Sequence, residues 1–129
     1  MRDDDSGEVT TQTVLMVPVV ILILMISIQA ALWFHTANVA QATAGEGAAA
    51  ASSAGIDAVE AADRGTIAAT GFSSDAGVVL AAPPVVAVDG SWVGVTVEVV
   101  VPRIVPFFPS IVSRTVIEPR EVIVLEVDR

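Results

Sequence analysis

The chain is expected to be an α+β protein, a long N-terminal transmembrane helix extending into a small antiparallel β-sheet domain. Three observations carry that expectation: one charge-free apolar run near the N-terminus, a stretch of alanine-rich helix formers behind it, and period-two valines towards the C-terminus. At 129 residues there is room for one span and one modest domain. The alanine-rich half adds little side-chain volume, so a large independent core is not expected.

Residues 1–7, MRDDDSG, form a short polar leader. Asp3-Asp4-Asp5 lacks the surrounding loop of oxygen ligands that a calcium site requires, and reads as a solvated tail. Residues 8–35 form the membrane helix. Its centre, Val14–Phe34, reads VLMVPVVILILMISIQAALWF, with Ser27 and Gln29 as its polar side chains. As a helix it rises about 32 Å, which suits a bilayer core. A chain this small cannot surround a helix that is apolar on every face, so a buried soluble helix is the weaker reading. Trp33, Phe34 and His35 close the run and mark the membrane interface. Arg2 and the α-amino group precede the span, and the next arginine is Arg64, which assigns the N-terminus to the cytoplasm and the C-terminal domain to the far side.

Residues 36–69 are rich in strong helix formers and free of proline, so the helix is expected to run on into solvent, with Gly45, Gly47 and Gly55 weakening it. Glu46, Asp57, Glu60 and Arg64 then share one stripe, and Glu60 and Arg64 have the favourable i,i+4 order. Gly45, Ala49 and Ser53, flanked by Ala44, Ala48 and Ser52, place small residues four apart. That spacing either admits a partner helix at close range or reflects helix propensity alone.

Residues 70–84 are expected to be a loop, because Gly71, Ser73, Ser74, Asp75, Gly77 and the Pro83-Pro84 pair interrupt any helix. Residues 85–129 form the sheet domain. Val85–Val88 meets Asp89-Gly90, a turn pair suited to positive φ, and Trp92–Val101 continues with Val93, Val95, Val97, Val99 and Val101 on one face. The proline-broken stretch PRIVPFFPSIV from Pro102 exposes Phe107 and Phe108 on a loop or edge, a possible partner contact. Arg114–Arg120 carries no clear pattern, and Glu121–Val127 reads as a final strand.

The chemistry points away from catalysis. Six arginines and no lysine face fifteen acids, so a phosphate backbone would be repelled, and nucleic-acid binding is set aside. There is no cysteine, and the single histidine sits at the end of the span without a nucleophile to activate. No acid pair is singled out by spacing, and no glycine-rich phosphate loop follows a strand. Neither a cofactor nor a metal is expected.

The junction Gly7–Pro18, GEVTTQTVLMVP, is the most informative segment. A short polar leader ends in glycine and passes directly into the apolar helix. This pattern resembles the class III signal of type IV pilin-like proteins, and specifically the TadE-like minor pseudopilins of tight-adherence (Tad/Flp) pilus systems. The segment HTANVAQATAGEGAAAA is similar to the family's sequence beyond the span. The resemblance implies cleavage by a prepilin peptidase between Gly7 and Glu8, with a small residue needed at the cut. It also implies helix assembly through the fifth and eleventh mature positions, here Gln12 and Pro18. The family carries glutamate at the fifth, where it can neutralise a neighbour's N-terminal amine; Gln12 offers only a neutral acceptor and is cheaper to hold in lipid. Pro18 removes the hydrogen bond to Val14 and loosens the helix there. The partners implied are the lipid bilayer, a prepilin peptidase, other pilin or pseudopilin subunits and the pilus assembly platform.

Two other readings remain open from the residues alone. Ala42-Thr43-Ala44 fits a signal-peptide site that would release a secreted protein at Gly45. The span could equally be an uncleaved signal anchor that presents an extracytoplasmic binding module.

Overall fold

The computed structural model describes residues 5–53 and 55–121, with side chains from Thr10 onward. Its elements are α1 (Asp5–Ala51), α2 (Ala58–Asp75), β1 (Val85–Val88), β2 (Trp92–Val100) and β3 (Ile111–Pro119). The architecture is the expected α+β arrangement, an apolar helix near the N-terminus followed by a three-stranded antiparallel sheet of order β1-β2-β3.

Helix α1 rises about 70 Å and changes environment along its length. From Thr10 to Leu24 its side chains are exposed on every face, and most of them are large and apolar. From Gln29 upward a stripe is buried: Gln29, Thr36, Ala37, Ala40, Thr43, Ala44, Ala48 and Ala51. The buried threonines bend their hydroxyls back onto the helix, Thr36 donating to Leu32 O and Thr43 to Val39 O, each at 2.8 Å.

The helix expected over 36–69 is in fact two. It stops at Ala51, and the chain turns through Gly55 at φ 79°. Asp57 then starts α2 as its N-cap, accepting from Glu60 N at 2.8 Å. Glu46 and Asp57 therefore do not share a stripe on one helix, whereas Glu60 and Arg64 form the expected i,i+4 pair at 2.6 Å. Helix α2 runs to Asp75, through residues read as loop. Ala61, Gly65, Ala69 and Ser73, four apart, are buried, and this packing outweighs the low helix propensity of Gly71, Ser73 and Ser74. The actual stop is Gly77 at φ 69°, where Val78 N donates to Ser73 O and Gly77 N to Ser74 O in a Schellman motif.

The two helices meet where both are glycine. A Cβ at Gly47 would lie 3.0 Å from Gly65 O and 3.0 Å from Val95 Cγ1, and one at Gly65 would lie 3.1 Å from Ala51 Cβ. Hydrogen side chains let α1, α2 and the sheet approach at one point. Across this crossing lies β2, with Val93, Val95, Val97 and Val99 buried on one face and Val101 continuing it, as the alternation predicted.

The hairpin forms as expected, with Val88 opposite Val93 and Asp89 N donating to Trp92 O at 2.9 Å. Gly90 does not take positive φ; among the described residues only Gly55 and Gly77 do. The third described strand, β3, falls at 111–119, in a stretch where no pattern was legible. Its inward positions are Val112, Arg114, Val116 and Glu118, and two charges at core-facing sites hide the alternation. Residues 122–127 of the expected final strand lie outside the described residues, as does the leader 1–4, and Glu121 lies beyond the end of β3.

Candidate functional site at the base of the sheet domain

The β2–β3 connection, residues 101–110, turns back against the membrane helix. Pro102, Pro106 and Pro109 cannot donate to a ladder, so the segment stays irregular and its backbone groups need partners elsewhere. Gln29 supplies them. Its Nε2 donates to Pro102 O at 3.1 Å, while its Oε1 accepts from Ile104 N at 2.7 Å and Val105 N at 3.1 Å. The side chain is fully buried, and Val105 beside it is 2% exposed. A carboxamide carries a donor nitrogen and an acceptor oxygen with two lone pairs on separate atoms, which is what a stretch offering one carbonyl and two amides requires.

The rest of the junction forms around this clamp. Trp33 stands one turn above Gln29 and packs against the core, with the Arg114 guanidinium 5.7 Å from its ring centroid. Trp33 thus faces its own domain, while Phe34, expected at the interface with it, is exposed. An open cleft of about 250 Å³ lies on the other side, lined among others by Leu32, His35, Thr36, Val79 and Pro102. The loop itself presents Phe107, which is 73% exposed, with Phe108 half-buried and their ring centroids 6.2 Å apart. Among the described residues, no three His, Asp or Glu side chains converge on a metal-sized site.

The other residues predicted to act are spread along α1. Gly7 and Glu8 fall within the helix. Gln12 and Pro18 are exposed on its apolar half, and the helix continues through the proline. By helical rise Gln12 stands about 26 Å below Gln29, out of reach of the sheet domain. A Cβ at Gly45 would meet nothing within 4 Å, and Ala49 is exposed, so these two remain available to a partner. Ser53 is half-buried and donates to Ala50 O. Their neighbours Ala44 and Ala48 are consumed by the chain's own core.

The lower half of α1 is long and apolar enough to cross a membrane, and its upper half packs into the small domain. Residues 7–49 match the family model of the TadE-like protein family. The segment is TadE-like. The match begins at the glycine of the leader junction and ends two residues before α1 does, so it covers the helix and not the sheet. It agrees with the resemblance drawn from GEVTTQTVLMVP and NVAQATAGEGA. Comparison with curated proteins and with solved structures gives no significant match.

Sequence reasoning noted Gln29 only as a polar residue in the TadE-like span. The signal was present nonetheless: an amide in an apolar helix is costly unless it is hydrogen-bonded, so it calls for a partner. Its partner stands 73 residues away and could not be named from the sequence.

Proposed function

We propose that this chain is a minor pseudopilin-like component of a tight-adherence pilus, structural rather than catalytic, matured by a prepilin peptidase that cuts after Gly7. The observation that carries this reading is the coincidence of the TadE-like match with α1. The lower half of that helix is exposed and apolar, and its upper half supplies the core of the domain. Such a helix can lie among other pilin helices in the bilayer while its domain meets partner subunits and the assembly platform outside the cell membrane. The N-terminus is placed on the cytoplasmic side, where the peptidase reaches Gly7 and releases Glu8.

Gln12 and Pro18 would then face neighbouring helices. Gly45 and Ala49 form the close-approach face above the membrane, with Ser53 just past the end of the helix. The secreted alternative is disfavoured by packing: a cut after Ala44 would remove Gln29, Ala37, Ala40 and Ala44 from the structure they hold together.

The test is the mass of the membrane-bound protein from cells that contain the prepilin peptidase. A mature chain that begins at Glu8, and a Gly7→Phe variant that stays full-length, are the expected results. An intact Met1 in the unsubstituted chain would refute processing and leave the uncleaved anchor. A product beginning at Gly45 would establish secretion.

A further inference from the structure

We infer that the 102–110 loop is a second membrane contact, with Ile104, Phe107 and Phe108 seated among lipids at the headgroup–acyl boundary of the outer leaflet. The inference rests on the reading of α1 as a membrane span. It departs from the use of Phe107 and Phe108 as a subunit contact.

Length decides the matter. From Thr10 to Ile28, immediately below the clamp, α1 rises only about 27 Å, and from Val14 about 21 Å. A bilayer's hydrocarbon core is about 30 Å thick. The charge-free stretch of helix below the loop is therefore no longer than the core it must cross. The loop cannot stand clear of the membrane unless it leaves Gln29, and three hydrogen bonds hold it there. Three of its side chains suit that depth. Phe107 and Ile104 are exposed and Phe108 is half-exposed, and on α1 the large exposed apolar side chains run from Val14 to Leu24, with Ile28 and Phe34 beyond. Arg103, between Pro102 and Ile104, is exposed and among the described residues reaches only Pro106 O of its own loop, at 3.4 Å, which leaves its guanidinium able to meet lipid phosphate. At the opposite end of the sheet the turn carries Asp89, Gly90 and Ser91, without large apolar side chains.

The absence of cysteine makes the test direct, because each introduced thiol is unique. Full-length protein bearing one nitroxide at Leu22→Cys, Ile104→Cys, Phe107→Cys or Asp89→Cys is placed in bilayers of phosphatidylethanolamine and phosphatidylglycerol. Collision with lipid-soluble oxygen is then compared with collision with a water-soluble nickel chelate. The expected oxygen-to-nickel ratio at 104 and 107 is several-fold above that at 89 and approaches that at 22. A water-like ratio at both 104 and 107 with a lipid-like ratio at 22 would overturn the inference and leave the span intact. A water-like ratio at 22 would overturn both. Shielding of 107 from both reagents, with an immobile spectrum, would show protein rather than lipid as the occupant and overturn it.

Discussion

Replacing Gln29 with leucine releases the 102–110 loop from α1 while keeping the helix apolar there. The substitution removes one donated and two accepted hydrogen bonds. Ile104 and Pro102 are exposed, so their freed groups can turn to water or headgroups, and each lost bond costs about 0.5–1.5 kcal/mol. Val105 is buried, and its amide, left without a partner, costs about 1–3 kcal/mol. Together these give about 2–6 kcal/mol against docking of the loop, partly relieved by a side chain more at ease in lipid. At about 1.4 kcal/mol per tenfold change, the docked-to-undocked ratio falls by roughly 30- to 20,000-fold before that relief. Amide hydrogen exchange in lipid discs reads this directly: exchange at Ile104 and Val105 should accelerate on that scale, while the β2 amides opposite β3 keep their protection. Unchanged exchange at 104 and 105 in Gln29→Leu would refute the clamp. Acceleration across all of β2 would mean that Gln29 supports the whole fold and not the loop alone.

The remaining predictions concern the helices. Gly47→Ala places a methyl 3.0 Å from Gly65 O and should lower stability by about 1–3 kcal/mol, whereas Gly45→Ala, with open space around it, should be neutral or gain up to about 1 kcal/mol. Thermal unfolding followed by circular dichroism in detergent distinguishes them, and equal effects would refute the close crossing. Asp57→Ala removes the cap on α2 and should cost about 0.5–2 kcal/mol in the same assay, with Asp57→Asn restoring most of it. Gly77→Ala forces a side chain into φ 69° and should cost about 1–2 kcal/mol, read as faster amide exchange at Val78 and Gly77.

Much of this protein is legible in local pattern. The span is determined by the absence of charge from Val14 to Phe34, and the valine face of β2 by strict alternation. The TadE-like junction is carried by contiguous residues as well. Features of this kind depend on neighbours in the chain, which is why they can be read there. The helix break at 52–57 was half visible, in Gly55 and in the Asp57–Glu60 capping pair, but nothing local said that α1 would end there. Its cause is the packing of α2 back onto Gly47.

Three outcomes were decided only by tertiary structure. Helix α2 persists through Gly71 and Ser74 because Ala69 and Ser73 are buried, and burial outweighs propensity. Strand β3 carries Arg114 and Glu118 inward because Trp33 of α1 and Ser52 just past its end receive them there, the first at the ring face and the second through Ser52 Oγ at 3.3 Å. The apolar run does not end where the unpacked part of the helix ends. By composition it closes at Phe34; in the fold it is met a turn earlier at Gln29, because three backbone groups far along the chain find their hydrogen-bond partner there. The sequence by itself determined that one helix is fit to cross a bilayer. How far up that helix lipid can reach depends on a contact between residues 73 to 76 positions apart, which only the folded chain brings together.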